Sequence, residues 1–164
     1  MFKKIIIVAV AMLIAGCGSG KSEREVLLER AENLYTEAKT ETPINVEKYN
    51  QVIALYQKIY DENPEWNDAE HALMMIGVCQ QHMGELKKAI ATYEKAVREY
   101  PDLKGWTRAT YLYLGNAYEE NGELEKALIA YNKSIELCEA TGRTEGFPYQ
   151  NAISAIQRLK TNEN

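Results

Sequence analysis

A glycine-rich segment near the start of the chain has the residue types of a phosphate-binding loop. The segment Ala15-Gly16-Cys17-Gly18-Ser19-Gly20-Lys21-Ser22 follows an apolar run and ends in Lys and Ser. In a nucleotide-binding fold, such a loop follows a buried strand and its Lys and Ser contact phosphate and Mg²⁺. That fold also needs further apolar strands, one of which ends in a metal-binding acid. No run of four apolar residues followed by Asp occurs after residue 22, so the sequence does not predict an ATP site.

Two histidines and two cysteines are the next candidates for chemistry. His71 and His82 fall on one predicted helix, where eleven residues span about 16 Å, too far for a shared metal ion. A surface or groove position is therefore expected for both. Cys79 and Cys138 lack metal-ligand spacing, and helices separated by a whole structural unit rarely bring cysteine backbones within disulfide range. We predict two buried free thiols.

Three carboxylates cluster at the end of another predicted helix: Glu119, Glu120 and Glu123. Neighbouring carboxylates can act as general acid and base, but the sequence predicts no enclosed pocket around them. A Ser–His–acid arrangement is not indicated either, because both histidines lie on a single helix. We therefore predict no catalytic residue, no metal site and no enzymatic activity.

The first sixteen residues have the three zones of a secretory signal. Lys3 and Lys4 precede an apolar run over residues 5–15, and Gly16 stands directly before Cys17. Eleven helical residues reach about 16 Å, against roughly 30 Å of bilayer hydrocarbon. The run is therefore too short to be predicted as a membrane span.

The segment Leu13-Ile14-Ala15-Gly16-Cys17 resembles the lipobox of bacterial lipoproteins. The resemblance implies that residues 1–16 are a cleaved signal peptide and that Cys17 carries covalent diacylglyceryl and acyl lipid. Residues 17–22 would then form a lipidated tether, and no other cofactor is expected. Gly18, in place of Asp after the cysteine, implies an outer-membrane lipoprotein that faces the periplasm. In a single-membrane bacterium, the same anchor implies the outer face of the plasma membrane.

Composition and charge limit the kinds of partner. The 164 residues are 46% apolar and 26% charged, which suits one folded domain and disfavours disorder. Without the two lysines of the leader, 17 basic residues face 24 acidic ones, a formal charge of −7. Because an acidic protein repels phosphate backbones, nucleic acid is not an expected partner.

Two internal alignments reveal a repeat of 37 to 38 residues. The segment GELKKAIATYEKAV, from Gly84, aligns with GELEKALIAYNKSI, from Gly122. The segment IALYQKIYDENP, from Ile53, aligns with IATYEKAVREYP, from Ile90. Each copy has the 3.6-residue apolar period of two helices, and in the last two copies a glycine lies in the turn between them. The predicted helices cover residues 23–39, 46–62, 68–83, 86–99, 106–121, 124–140 and 148–160.

Small residues explain how the two helices of a copy pair. We expect Gly77 to remove bulk where the backbones approach and Tyr93 to fill the space beside it. Gly115 and Tyr131 occupy the same positions one unit later.

The starts of the first helices carry two further signals. Asn67, followed by Glu70 three residues later, predicts a capping box. Trp66 and Trp106 precede the first helices of successive copies. We expect them to wedge between neighbouring units, the alternative being that they stack on a ligand.

These residues resemble the tetratricopeptide repeat, a helix–turn–helix unit of 34 residues. In the middle copy, Gly77, Gly84, Ala89, Tyr93 and Pro101 fall at the spacing of the family. The resemblance implies an all-α fold, a tetratricopeptide-repeat-like α-α superhelix (solenoid) of about three helix–turn–helix repeats plus a C-terminal capping helix. The expected segments are a degenerate first pair over 23–66, repeats over 67–103 and 104–141, and a capping helix and tail over 142–164.

In this family, the first helices line a concave groove. The positions that the resemblance places there are His71, Met74, Val78, Gln81, His82, Ala109, Leu112, Asn116, Glu119 and Glu120. Such a face is part apolar and part acidic, and suits an extended or helical segment with some basic character. Relatives that hold the C-terminal carboxylate of chaperones need polar residues where Met74, Val78 and Ala109 stand, so that activity is not expected.

The predicted function is therefore that of a membrane-anchored envelope lipoprotein, a non-catalytic scaffold or adaptor for a protein or peptide partner in the cell envelope. The alternative is a glycan- or peptidoglycan-binding accessory lipoprotein that uses Tyr and Trp side chains in the groove. Several aromatic rings facing the groove would favour the alternative.

Overall fold

The computed structural model describes residues 21–62, 64, 67–101 and 105–162. These residues contain seven α-helices and no β-strand, which confirms the all-α prediction. The predicted signal peptide, Cys17 and Trp66 lie outside the described residues. The helices are α1 (Glu23–Ala38), α2 (Val46–Glu62), α3 (Asn67–His82), α4 (Leu86–Glu99), α5 (Thr107–Glu120), α6 (Leu124–Ala140) and α7 (Tyr149–Asn162).

The helices stack in chain order. Each one packs against the next, from α1 on α2 to α6 on α7, and α3 also contacts α5. Packing between neighbours in sequence is the arrangement of a helical-repeat solenoid. No helix in the described part of the chain is long and apolar enough to cross a membrane.

Local signals place the helix ends where the sequence predicts them. The Ser22 hydroxyl accepts a hydrogen bond from the backbone N–H of Glu25, whose carboxylate accepts one from the backbone N–H of Ser22. This capping box fixes the start of α1. Gly84 (φ 76°) and Gly122 (φ 81°) adopt the left-handed conformation after α3 and α5. A glycine there satisfies the last helical carbonyls without a Cβ clash.

Within each of the last two repeats, a tyrosine ring fills the space left by a glycine, as predicted. A Cβ at Gly77 would collide with the ring of Tyr93, and one at Gly115 would lie 2.5 Å from the ring of Tyr131. Both tyrosines are fully buried. The glycines therefore set the close approach of α3 to α4 and of α5 to α6.

Two hydrophobic clusters run along the stack and meet in α3 and α4. One cluster joins α1 and α2 to one side of α3 and includes Val52, Tyr56 and Leu73. The other joins α3 to α7 and includes Met74, Tyr131 and Leu159. Residues from both α3 and α4 occur in each cluster, so these two helices join the halves of the core.

Glu70 makes a contact that the capping-box prediction did not include. Its buried carboxylate Oε1 accepts a hydrogen bond of 2.6 Å from the hydroxyl of Thr107, at the start of α5. Glu70 therefore links α3 to the next repeat. The capping role predicted with Asn67 stays a prediction, because the Asn67 side chain is outside the described part.

The two cysteines in the helices are buried and unpaired, as predicted. Neither Cys79, in α3, nor Cys138, in α6, forms a disulfide. Burial raises the pKa of the Cys79 thiol to about 12, so this thiol is uncharged at neutral pH and behaves as a small apolar side chain.

Candidate functional site

A groove runs along the side of the stack formed by α3, α5 and α7. Its first part is a cavity of about 300 Å³ between α3 and α5, and its second is a cavity of about 360 Å³ between α5 and α7. Asn116 lines both cavities, so they form one continuous surface, called the groove below. The first cavity is lined by Val78, Gln81, His82, Tyr113, Asn116 and Glu120. The second is lined by Leu112, Asn116, Gln150, Asn151, Ser154, Ala155 and Arg158.

Hydrogen bonds fix the orientation of Gln81 at the α3 wall. Its amide nitrogen donates to Glu120 Oε1 at 2.6 Å, and its amide oxygen accepts from the Tyr93 hydroxyl at 3.1 Å. Tyr93 is the buried ring that packs on Gly77. The repeat core therefore positions a groove residue directly.

A second network connects α5, α6 and α7. The Tyr131 hydroxyl lies 2.8 Å from Asn116 Oδ1 and 2.7 Å from Glu119 Oε2, and its single proton serves one acceptor at a time. Arg158 Nη2 donates to both oxygens of Glu119, at 2.9 and 2.8 Å. Burial, followed by the hydrogen bond to Glu119, raises the pKa of Tyr131, so its hydroxyl stays protonated.

Asn116 keeps hydrogen-bonding capacity for a bound molecule. Its amide oxygen is engaged by Tyr131, while its amide nitrogen donates to none of the residues that the structure describes. Asn151 lies across the groove on α7. It is exposed, and its side chain makes no hydrogen bond to any residue that the structure describes. Two amide groups thus face one groove with free donors, and such groups complement the C=O and N–H groups of a peptide backbone.

His82 lies where the groove meets the first repeat. Its ring stacks on Tyr49 at a centroid distance of 5.6 Å, and its Nε2 lies 3.3 Å from the Tyr35 hydroxyl. Burial by these rings lowers the pKa of His82; the charge of Glu120 opposes this effect and that of Lys39 adds to it. The imidazole is therefore neutral at pH 7 and can both donate and accept hydrogen bonds.

A sequence model described as "Tetratricopeptide repeat" matches residues 68–140, the segment that holds α3 to α6. Residues 68–140 therefore match the tetratricopeptide-repeat family, and the described helices have its fold. The crystal structure of the Yersinia enterocolitica type III secretion translocator chaperone SycD has a TM-score of 0.70 to this chain. That similarity covers 88% of this chain and 97% of SycD at 17% identity.

A second similar structure is the TPR2AB domain of yeast Sti1, solved as a complex with pHSP90. Its TM-score is 0.63 at 20% identity, and the match covers 88% of this chain. It covers 51% of the Sti1 chain, so this protein spans about half the length of that relative. At these identities the two structures establish the shared fold. No curated protein matches the sequence significantly.

The repeats bring some of the predicted groove residues to the surface and place others inside. Gln81, His82 and Asn116 line the groove, Glu119 supports it through Arg158, and Glu120 borders it. Four other predicted residues are buried in the core, so they can contribute only to the bottom of the groove. They are Met74 (3% exposed), Val78 (5%), Ala109 (5%) and Leu112 (2%).

His71 does not contribute to the groove cavities. Its ring stacks on Trp106 at a centroid distance of 4.4 Å and meets the edge of Tyr56 at 5.8 Å. Trp106, which is 42% exposed, covers His71 at the junction of α3 and α5, so it is only partly enclosed between the repeats. Both side chains act as packing groups between α2, α3 and the start of α5.

The carboxylate cluster is arranged as a structural feature of the helix end. Glu119 pairs with Arg158, Glu120 accepts from Gln81, and Glu123 pairs with Lys126 at 2.5 Å. Lys126, followed by Asn121, lowers the pKa of the Glu123 carboxyl. Among the described residues, no group of three His, Cys, Asp or Glu side chains is arranged to hold a metal ion.

The α7 wall is the part of the site that sequence reasoning missed. It contributes Gln150, Asn151, Ser154 and Arg158, although the sequence predicts α7 only as a cap. The signal that could have revealed it is the order of the helices: α7 follows α6 as α5 follows α4, so α7 has the position of a first helix. First helices line the groove in this fold, so α7 lines it too.

Proposed function

We propose that this protein is a non-catalytic interaction module that holds an extended segment of a partner protein in the groove. The observation that carries the proposal is the row of amide side chains Gln81, Asn116 and Asn151, one from each groove helix. Amide side chains can form hydrogen bonds with the C=O and N–H groups of a peptide backbone, whatever the sequence of the peptide. The two cavities, of about 300 and 360 Å³, are of the size in which proteins hold small ligands and short peptide segments.

The similar structures support a protein partner. Sti1 was solved in complex with pHSP90, and SycD is a translocator chaperone. Both have the same stack of helix pairs over 88% of this chain. We infer a partner of the same general kind, a polypeptide segment, for the groove of this protein.

The charges in the groove favour a partner segment with basic residues. Glu120 is exposed at the α3–α5 end, and the nearby His82 is neutral at pH 7. At the other end Arg158 is neutralised by its two hydrogen bonds to Glu119. The net field is negative, as is the charge of the whole chain, so a lysine or arginine beside Glu120 is favoured.

The glycan alternative has less support from the geometry. Tyr113 is the tyrosine that lines the groove, and sugars bind by stacking on an open ring face. The ring of Tyr113 already stacks on Tyr93 at 6.2 Å and packs against Phe147 at 5.9 Å. These neighbours compete for the ring surface that a sugar needs.

The groove is tested by inserting a charged, bulky side chain at an exposed position of its α7 wall. Ser154→Arg fills the α5–α7 cavity, whereas Gln157→Arg places the same group on the same helix at an exposed position outside the cavity lining. In-cell crosslinking followed by mass spectrometry identifies the captured partner. We expect Ser154→Arg to abolish its capture and Gln157→Arg to retain it. Equal capture by both variants would refute the groove as the binding site.

We further propose that the module is anchored to a bacterial envelope membrane by lipid on Cys17. The support is the lipobox-like segment and the spacing to the fold, since α1 begins at Glu23. The five residues from 18 to 22 reach at most about 18 Å, so the folded part would begin close to the membrane surface. Outer-membrane attachment facing the periplasm is the proposed location.

Detergent phase partitioning tests the anchor. Two or three acyl chains hold a protein firmly in a lipid phase, so the wild-type protein should partition with detergent. Cys17→Ser should move to the aqueous phase, whereas Ser19→Ala, in the same tether, should not. An aqueous wild-type protein would show that the anchor is absent without affecting the groove proposal.

A further inference from the structure

The two cavities of the groove differ in their charge. Among the described residues that line the α3–α5 cavity, Glu120 has the one carboxylate, and none is a lysine or arginine. The α5–α7 cavity instead contains Arg158, whose charge is neutralised by Glu119. The α3–α5 cavity therefore has a negative charge that its own lining does not compensate, and the α5–α7 cavity has none.

Glu120 keeps most of its hydrogen-bonding capacity for a bound molecule. Its Oε1 accepts the 2.6 Å hydrogen bond from the amide nitrogen of Gln81, which holds the carboxylate in place beside the cavity. Glu120 forms no salt bridge with any residue that the structure describes. Since the two oxygens of a carboxylate together accept about four hydrogen bonds, one oxygen and part of the other remain open to a cationic donor.

A phenol hydroxyl and an imidazole supply further acceptors next to this carboxylate. The hydroxyl of Tyr113 makes no hydrogen bond within the described part of the chain, and burial raises its pKa, so it is uncharged and can accept one. The Nε2 of His82 is paired with the Tyr35 hydroxyl. In the tautomer in which Nε2 carries the proton, the Nδ1 of His82 is an acceptor for a ligand.

The two cations closest to this arrangement are engaged elsewhere. Lys39 acts electrostatically on His82, but its Nζ lies 5.5 Å from the centroid of the Tyr35 ring, and it does not line the cavity. Arg158 donates to both oxygens of Glu119. Neither cation forms a salt bridge with Glu120, so the cavity offers a negative charge and several acceptors to a cationic group of a ligand.

We propose that the α3–α5 cavity is a specificity pocket that selects an arginine side chain of the bound segment. This inference rests on the proposed function, because the polypeptide in the groove supplies the arginine. A guanidinium is planar and has five N–H donors in a fixed fork. It can therefore donate to Glu120 and, at the same time, to the Tyr113 hydroxyl or the His82 imidazole. The ammonium of lysine presents its three donors from a single point and reaches acceptors on separate side chains less well.

The rest of the pocket fits the remainder of an arginine residue. Val78 is buried and contributes an apolar surface to the cavity lining, and the methylene groups of an arginine pack favourably on such a surface. Asn116 lines both cavities and has a free amide nitrogen, so it can hold the main chain next to the arginine. The segment then continues into the α5–α7 cavity, where amide groups contact its backbone.

Three short peptides test the pocket by NMR titration of the purified protein. They are alanine peptides with blocked ends and a central arginine, citrulline or lysine; citrulline has the shape of arginine without its charge. We expect the arginine peptide to shift the amide signals of Gln81, Asn116 and Glu120 and to bind about tenfold more tightly than the citrulline peptide, because its hydrogen bonds are charge-assisted. The lysine peptide should bind with an intermediate affinity. Equal binding of the arginine and citrulline peptides would overturn the pocket, as would lysine binding as tight as arginine binding. Lack of saturation by the arginine peptide up to about 10 mM, weaker than the millimolar range of simple ligands, would do the same.

A variant and a matched control assign the selectivity to Glu120. Glu120→Gln keeps an oxygen that can accept from Gln81 and removes the charge, so the arginine peptide should bind it no more tightly than the citrulline peptide does. Glu125→Gln makes the same change in net charge at an exposed position of α6 outside the groove lining, and should bind like the wild type. Equal effects of the two substitutions would overturn the assignment.

Crosslinking in cells separates this inference from the groove proposal. Glu120→Gln should reduce capture of the partner, whereas Glu125→Gln should not. If Glu120→Gln captured the partner as well as the wild type while Ser154→Arg abolished capture, the groove would stand as the binding site and the arginine pocket would be refuted.

Discussion

The ring of Tyr131 occupies the space that any residue larger than glycine would need at position 115. A Cβ there would lie 2.5 Å from two carbons of the ring, well inside van der Waals contact. The ring cannot simply rotate away, because it is fully buried and its hydroxyl is held by Asn116 and Glu119. The absence of a side chain at Gly115 thus allows α5 to pack closely on α6, and it also allows Tyr131 to hold the groove residue Asn116 in place.

We expect Gly115→Ala to lower the free energy of unfolding by about 2 kcal/mol, because overpacking a core commonly costs 1–3 kcal/mol and outweighs the gain in helix propensity. Urea denaturation monitored by circular dichroism measures the change. The variant should also weaken partner capture, since displacing Tyr131 moves Asn116. An unfolding free energy equal to or above that of the wild type would show that the ring can move at little cost.

A double-mutant cycle tests whether Tyr131 is the side chain responsible. Tyr131→Leu removes the part of the ring that meets position 115 and is destabilising by itself. In that background, Gly115→Ala should cost much less than it does in the wild type, because the clash is already relieved. Additive effects of the two substitutions would place the conflict elsewhere.

At the scale of the element, α3 and the start of α5 are joined by a buried polar link. The Thr107 hydroxyl lies 2.6 Å from Glu70 Oε1 and 2.7 Å from the Tyr100 carbonyl oxygen, and its single proton can serve one acceptor at a time. Glu70, at 4% exposed, is the one buried acidic side chain among the described residues. A buried carboxylate is stable only when hydrogen bonds replace its water. The link therefore ties the register of one repeat to the next.

Thr107→Val keeps the shape of the side chain and removes its hydroxyl. We expect a loss of about 2 kcal/mol in unfolding free energy, because the buried Glu70 carboxylate then loses the hydrogen bond from the Thr107 hydroxyl. Glu70→Gln in the Thr107→Val background should recover part of the loss, since it removes the buried charge. Thr110→Val is the matched control: its hydroxyl donates to the carbonyl of Trp106, the N-cap residue of the same helix, so its effect should be smaller. Equal losses at both positions would contradict a special role for the link.

The helices themselves were predictable from the sequence, because their signals are local. The apolar period, Gly84 and Gly122 gave the helices from α3 to α6 to within two residues, and the pairings of Gly77 with Tyr93 and of Gly115 with Tyr131 are confirmed. The role of Glu70 was not predictable. Its partner Thr107 is 37 residues away in the sequence. The local spacing of Asn67 and Glu70 already suggested a capping box, so nothing in the sequence pointed to a distant partner.

The groove was only partly predictable, for a reason of geometry. A family pattern assigns positions on a helix to a face, but curvature of the stack decides which of them are exposed. Met74 and Ala109 fall on the predicted face and are nevertheless buried between α3 and α5, which contact each other directly. Asn116 and Gln81 lie further along the same helices, where the cavity opens. How deeply a side chain is buried depends on how several helices pack together, and the residue pattern of a single repeat does not reveal it.

At the scale of the whole molecule, α7 both closes the stack and forms a wall of the groove. Ala152, Ala155 and Leu159 are buried in the core cluster that extends from α3 to α7. On the other side of the same helix, Asn151, Ser154 and Arg158 face the groove. In a repeat protein, each unit is stabilised mainly by its neighbours, so α7 covers the apolar surface of the repeat formed by α5 and α6.

Removal of residues 143–164 should therefore affect stability and binding together. Loss of the contacts of Leu159 and the two alanines exposes apolar surface of α5 and α6, and we expect a loss of about 3 kcal/mol. For a chain of this size, that corresponds to a melting temperature lower by about 10 °C. The exposed surface should also cause self-association at high concentration, measurable by sedimentation velocity. Removal of residues 161–164 alone is the control, since Thr161 is exposed. If the longer truncation melted at the same temperature as the control, α5 and α6 would be stable without a cover, and the only role of α7 would be as a wall of the groove.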